Sequence, residues 1–329
     1  MTKQLDTLTL EKKKPIRETF TVQGKLRKRL VIGDIHGHIE PFKSIYENEK
    51  PDDVIILGDY FDSFHGTDKE ILGCFDTILK MKKSHKKGMF ILLIGNHDFH
   101  YLDLTEKYSG KRKSYELHVA MKLDKLVEEH KMQYVYVDLK NKTVYSHAGI
   151  MNKWMSENRL FTFNLDDLNE IDPRKYRFTF RGGDTGYGDG PYASPIWVRP
   201  STLEQDMFVD LSGIKWTQVV GHTHSAKAKT LLVDGTWLYG ANIYKNQPYS
   251  VDEDTNCPLL YVLDSLPNYY MVETIDENGL IIEREVKSTS ENLDKVVNDQ
   301  IVINKEIKRN GDIEKLADIC GIKLSTPIK

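Results

Sequence analysis

The chain has 329 residues, 40% of them hydrophobic, and a formal net charge of −3. This is enough apolar material for a sizeable core in one or two domains, while the near-balanced charge gives no bulk positive field for nucleic acid or an anionic membrane. Cys74, Cys257 and Cys320 lie far apart with no Cys-x-x-Cys pair, which excludes a disulfide framework and fits free thiols in a reducing cytosol.

Residues 1–27 are polar and basic and read as an N-terminal arm. Residues 1–15 lack the apolar centre of a secretion signal, and no apolar run approaches the roughly 20 residues that a membrane-spanning helix needs. A soluble, cytoplasmic protein with no membrane partner is expected. The basic runs at 12–14, 25–29 and 111–113 read as solvated faces. Strands are then expected at 30–32, 54–57 and 90–94, alternating with helices at 41–48, 69–82 and 114–130. In the second of these helices Ile71, Leu72, Phe75, Ile78 and Leu79 keep helical spacing. The order β-α-β-α-β predicts parallel strands joined by helical crossovers.

Beyond residue 130 the apolar runs shorten. Strands are expected at 134–137 and 143–146, at 230–233 and 237–239 around Asp234-Gly235, and at 259–263, 269–275 and 280–286, the last two around Asn278-Gly279. Hairpins of this kind add an antiparallel component, so two packed mixed sheets with helices outside are expected. The stretch 181–190 contains five glycines, Gly182, Gly183, Gly186, Gly188 and Gly190, and reads as a long surface loop. Residues 288–329 are polar and helix-prone and read as a C-terminal extension, leaving 28–287 as the main domain.

Five short motifs punctuate that domain: Gly33-Asp34-Ile35-His36-Gly37, Gly58-Asp59-Tyr60-Phe61-Asp62, Gly95-Asn96-His97-Asp98, Ser146-His147-Ala148-Gly149 and Gly221-His222-Thr223-His224. At least four follow an apolar run that reads as a buried strand. Asp34 and His36 stand two apart, and on extended chain such residues point the same way, so both can reach one ion. The Asp59 carboxylate can bridge two cations, and Asn96 offers a neutral amide oxygen. His147, His222 and His224 supply imidazoles, which suit manganese, iron, zinc or nickel better than calcium or magnesium. Two divalent ions against two aspartates leave positive charge that attracts a phosphate and lowers the pKa of a bound water. Two such ions roughly 3.5–4 Å apart can clamp both oxygens of an in-line displacement.

In this order the motifs resemble those of the calcineurin-like metallophosphoesterase superfamily, D-x-H, G-D-x-x-D, G-N-H-D/E, H and G-H-x-H, over roughly residues 29–245. The second motif and Ile196-Trp197-Val198-Arg199 lean toward the branch of serine/threonine protein phosphatases and the bacterial or phage phosphatases related to diadenosine tetraphosphatase. The resemblance implies an α/β fold, a four-layer α/β/β/α sandwich of two mixed sheets. It assigns Asp34, His36 and His224 to one ion, with Asp59 bridging, and Asn96, His147 and His222 to the other. It makes His97 the general acid and Asp62 its orienting carboxylate. Arg199 is the candidate phosphate clamp, because a guanidinium meets phosphate oxygens bidentately. Two departures concern specificity. Ser63 and Ile94 stand where the protein-phosphatase branch carries arginines, and Asp98 stands where it carries glutamate.

The expected activity is hydrolysis of phosphomonoesters by direct attack of a hydroxide bridging two divalent ions, manganese first among the candidates. The substrate would be a phosphorylated protein, small molecule or nucleotide. The same site would also suit a phosphodiesterase or a dinucleoside-polyphosphate hydrolase. A nuclease is not favoured, given the overall charge. A scaffold retaining only the fold would have no need of an intact ligand set.

Overall fold

The computed structural model describes residues 25–61, 67–102, 114–129, 131–160, 188–211, 213–225, 227–245, 258–264 and 268–289. Most of the N-terminal arm, Asp62, residues 181–187 of the glycine-rich loop and nearly all of the C-terminal extension lie outside the described residues.

The first half alternates as its apolar pattern requires: β1 (Arg27–Ile32), α1 (Ile39–Glu49), β2 (Asp53–Ile56), α2 (Asp68–Ser84), β3 (Phe90–Leu92), α3 (Asn96–Leu102) and α4 (Ser114–Glu128). Helix α2 begins with a capping box, in which the Thr67 hydroxyl accepts from the Glu70 amide while the Glu70 carboxylate accepts from the Thr67 amide. The second half is strand-rich: β4 (Val135–Asp138), β5 (Thr143–Ser146), α5 (Asn152–Glu157), α6 (Pro200–Leu203), β6 (Thr217–Val220), β7 (Lys229–Leu232), β8 (Trp237–Tyr239), β9 (Asn242–Lys245), β10 (Pro258–Val262), β11 (Tyr269–Ile275) and β12 (Ile281–Ser288).

These strands form two mixed sheets of six, ordered β3-β2-β1-β11-β12-β9 and β4-β5-β6-β10-β7-β8. Strands β1, β2 and β3 run parallel in the first, as β5, β6 and β10 do in the second. Period-2 alternation sorts the side chains into layers. Leu30, Ile32, Val54, Ile56, Phe90 and Leu92 face outward and pack with Phe42 and Ile45 of α1 and Phe75 and Ile78 of α2. The intervening Val31, Ile55 and Leu93 face the other way and meet Tyr145, Val219 and Tyr261 of the second sheet. Val144, Val220, Leu260 and Val262 of that sheet share an apolar cluster with Trp154 and Met155 of α5 and Leu203 of α6. The result is a four-layer α/β/β/α sandwich.

Three local expectations are corrected. The third strand, expected over 90–94, stops at Leu92, and Asn96 opens helix α3. Strands β6 and β9 and helices α5 and α6 are additions, too short to show a period in sequence. The run 25–29 is not wholly solvated, because Arg29 is buried. Its Nη1 donates to Asp138 (3.1 Å), to the Tyr145 hydroxyl (2.9 Å) and to Glu273 (3.1 Å). Arg284 donates to Glu273 (2.9 Å) and to the Thr143 hydroxyl (2.6 Å). This network ties β1, β11 and β12 of one sheet to β4 and β5 of the other. Burial alone would lower the Arg29 pKa, but Tyr145, Glu273, Tyr136 and Asp138 outweigh it and hold the guanidinium charged.

Candidate metal centre

Every motif leaves the C-terminal end of a strand. Asp34 follows β1, Asp59 follows β2, Asn96 comes after β3, His147 follows β5 and His222 follows β6. The parallel strands of both sheets therefore deliver side chains to one end of the sandwich, where open α/β sheets place ligands. Three of the delivering residues have left-handed backbones: His36 (φ 40°), Asp59 (φ 52°) and His222 (φ 64°). Such strain in non-glycine residues persists only where surrounding structure enforces it. The enforcement is close packing. A Cβ on Gly95 would lie 2.0 Å from Asp59 Oδ1, and one on Gly221 would lie 2.2 Å from Asp34 Oδ1.

Backbone amides hold the carboxylates. The His222 amide donates to Asp34 (3.0 and 3.2 Å), and the His97 amide donates to Asp59 Oδ1 (3.0 Å). Asp98 is fully buried and accepts from the amides of Asp59 (2.8 Å), Tyr60 (2.9 Å) and Gly95 (2.9 Å), locking the second motif to the third. Burial raises its pKa to about 6, against those three bonds and the charge of His97.

The imidazoles are fixed by carbonyls. A backbone carbonyl has no proton to give, so the ring nitrogen facing it must carry the N–H. His147 Nδ1 faces the Leu57 carbonyl (3.0 Å), His36 Nδ1 the Phe61 carbonyl (2.9 Å) and His222 Nε2 the Trp197 carbonyl (2.9 Å). Burial keeps His147 and His222 neutral, so their opposite nitrogens point inward as lone pairs. His147 Nε2 lies 2.9 Å from Asn96 Oδ1 and 3.4 Å from Asp59 Oδ2. His222 Nδ1 lies 2.9 Å from the same Asn96 oxygen, and His36 Nε2 lies 3.6 Å from Asp59 Oδ2. Acceptors face acceptors, an arrangement that a shared cation satisfies. Ligand atoms of Asp34, Asp59 and His147 fall within 4.8 Å of one another, as do those of His36, Asp59 and His97, so Asp59 belongs to both groups.

The electrostatics agree. Burial, then the charges of Asp264 and Asp59, push the Asp34 pKa well up; burial also raises Asp59, with His97 opposing and Asp98 adding. Burial, then His222, drives His147 well down, and burial, then Arg199, lowers His222 to about 3. Crowded carboxylates and neutral imidazoles are the donor set of a divalent metal.

Asp34, His36, Asp59, Asn96, His147 and His222 are thus brought together. The His97 ring stands edge-on to His36, with centroids 5.1 Å apart. Arg199 reaches the fifth motif, its Nη1 lying 3.4 Å from the Thr223 hydroxyl. His224 is placed apart: its side chain is 78% exposed, with Nδ1 3.7 Å from Asp264 Oδ1. Sequence reasoning missed Asp264, a buried carboxylate beyond the end of β10, and the three anchoring carbonyls. The signal for Asp264 was its place after the apolar run 259–263. The carbonyls carry none, because any residue can supply one.

The model of the calcineurin-like phosphoesterase family matches residues 27–252, and the chain belongs to that family. It is a phosphoric ester hydrolase. Among solved structures it is similar to a protein serine/threonine phosphatase from Saccharomyces cerevisiae, at 14% identity and a TM-score of 0.43, over 80% of this chain and 81% of that one. A predicted phosphoesterase from Streptococcus pneumoniae also matches at 14% identity, with a TM-score of 0.22, over 80% of this chain and 98% of that one. No curated protein matches at a significant level. No helix among the described residues is long and apolar enough to cross a membrane.

Proposed function

We propose that the protein is a phosphomonoesterase dependent on two divalent metals, manganese in the first instance. Asp34, His36, Asp59, Asn96, His147 and His222 would hold them, with Asp59 common to both. The observation that carries this reading is the inward convergence of lone pairs from two neutral imidazoles onto the single Asn96 oxygen. Bound cations would supply the positive charge that attracts a phosphate dianion and makes water acidic enough to act as nucleophile.

The chain's own residues do the rest. The amide bonds to Asp34 and Asp59 fix these carboxylates before substrate arrives, and Asp98 keeps the Asp59 loop from relaxing. His97 is held at the site by its own amide bond to Asp59. It donates a proton to the departing ester oxygen, with Asp62 as its orienting partner. Arg199, beside Thr223, meets the phosphate oxygens.

The test is a substrate panel with added manganese: p-nitrophenyl phosphate, its bis-ester, diadenosine tetraphosphate, a phosphopeptide and single-stranded DNA. Turnover of the monoester, abolished by a chelator and restored by manganese, is expected. Preference for the bis-ester or the dinucleotide would move the assignment to a diesterase, and inactivity on all five with metal bound would overturn it.

A further inference from the structure

The glycine-rich stretch reaches the metal centre through Gly188. This residue is buried, while Asp189 beside it is exposed. Its backbone is left-handed (φ 106°), and a Cβ there would lie 1.8 Å from the Trp197 carbonyl oxygen. Conformation and space both demand glycine. The Gly188 carbonyl in turn accepts from the Arg199 amide (3.0 Å). The turn at Gly188 therefore grips the segment 194–199 on either side of Val198.

That segment touches the surroundings of two imidazoles. The Pro195 carbonyl accepts from the amide of Ala148, next to His147 (2.7 Å). The Trp197 carbonyl accepts from His222 Nε2 (2.9 Å), and the indole stands edge-on to the same imidazole, with centroids 5.7 Å apart. The Trp197 and Val198 amides both donate to the Ser194 carbonyl (2.9 and 3.1 Å), which tightens the turn. Ile196 and Val198 are fully buried, so the segment cannot swing outward without exposing apolar surface.

The Trp197 carbonyl is thus packed between His222 and Gly188. A side chain at position 188 would push it off the imidazole. The buried His222 N–H would lose its acceptor, a cost the ring escapes by moving its proton to Nδ1. Nδ1 is the nitrogen that faces the Asn96 oxygen, 2.9 Å away. Once protonated it has no lone pair for a cation. Resting on the metal-dependent reading above, we propose that Gly188 is a positioning residue for the ion held by Asn96, His147 and His222. Its missing side chain admits the Trp197 carbonyl to His222 and so keeps the Nδ1 lone pair turned inward. The glycine-rich stretch acts on metal affinity from behind the ligands, before any substrate arrives.

The experiment titrates manganese into the metal-free full chain by calorimetry. Gly188→Ala is expected to bind one ion as wild type does and the other about ten- to a hundredfold more weakly. Asp189→Ala, in the same turn but exposed, should bind both unchanged. Long-range ¹H–¹⁵N spectra of the metal-free protein supply a readout that mere loosening of the loop would not move, with the His222 signals identified by their loss in His222→Asn. They should place the ring proton on Nε2 in wild type and on Nδ1 in Gly188→Ala. Unchanged manganese affinity in Gly188→Ala overturns the proposal, as does equal weakening of both ions or an equal loss in Asp189→Ala. A ring proton on Nδ1 in wild type overturns it too, and that spectrum decides the matter even should Gly188→Ala misfold. Wild-type protein that takes up no manganese sinks the metal-dependent reading and this inference with it, whereas a failure confined to Gly188→Ala leaves that reading standing.

Discussion

Between the two sheets the Glu273 carboxylate meets two guanidiniums, Arg29 and Arg284; at the strand ends Asp59 meets the neutral His147 imidazole, Asp34 meets a backbone amide of His222, and the Asn96 oxygen faces both of these histidines. Both regions bury charge. In the first, the chain supplies its own countercharge, and every carboxylate oxygen of Glu273 accepts a bond. In the second, carboxylates crowd until burial and mutual repulsion raise their pKa values, while burial keeps the histidines unprotonated. The same sandwich therefore contains a neutralised cluster that joins layers and an unneutralised one shaped for something from outside. The contrast separates a structural ion network from a ligand site without appeal to motif.

The sharpest way to break the contrast is Asp59→Asn. It should abolish activity and manganese binding together, because Asp59 belongs to both groups of ligand atoms. The metal-free variant should melt no lower than metal-free wild type, since one uncompensated buried charge has been removed. Retained manganese, or a lower melting point without metal, would erase the distinction between the clusters.

His97→Ala should lower turnover of alkyl phosphates by about 10²–10⁴ while leaving manganese in place. The loss should be smallest for p-nitrophenyl phosphate, whose leaving group needs no proton. Equal losses on good and poor leaving groups would remove His97 from the acid role.

Glu273→Gln probes the other cluster. It leaves two buried guanidiniums without their shared anion and should cost about 3–5 kcal/mol in urea unfolding. Manganese stoichiometry should not change. If metal uptake falls in step with stability, the two regions are not independent.

The smallest effect is a pH slope in the metal-free protein. Folded His222 sits at about 3, against about 6.5 when unfolded. Between these values the unfolded state binds a proton that the folded state refuses, so the His222 contribution is complete above about 6.5 and is lost as pH falls toward about 3. The raised carboxylates Asp34 and Asp59 act with the opposite sign. Thermal melts at pH 7 and pH 5 should therefore show wild type losing more stability than His222→Asn. A steeper loss in the variant would contradict the assignment.

Much of this was legible in the sequence, because strand-end motifs combine two strong local signals, an apolar run and a glycine-flanked ligand residue. Asp34 and Asp59 could be placed on those grounds. What escaped depends on pairing between distant strands. Asp264 looks like any turn aspartate until β10 is laid against β6. Arg29 looks like one more residue of a basic run until β11 brings Glu273 beside it.

The neighbours of β1 carry a further consequence. On one side lies β2, close in sequence; on the other lies β11, whose Glu273 is 244 residues from Arg29. During translation the strand bearing the first motif thus emerges early and waits with one edge unpaired until β11 leaves the ribosome. Sheet closure is then a late, long-range event of the slow kind. A nascent chain halted near residue 252 would hold all five motifs yet lack β10, β11 and β12, leaving an open hydrogen-bonding edge inviting to chaperones and to other unfinished copies.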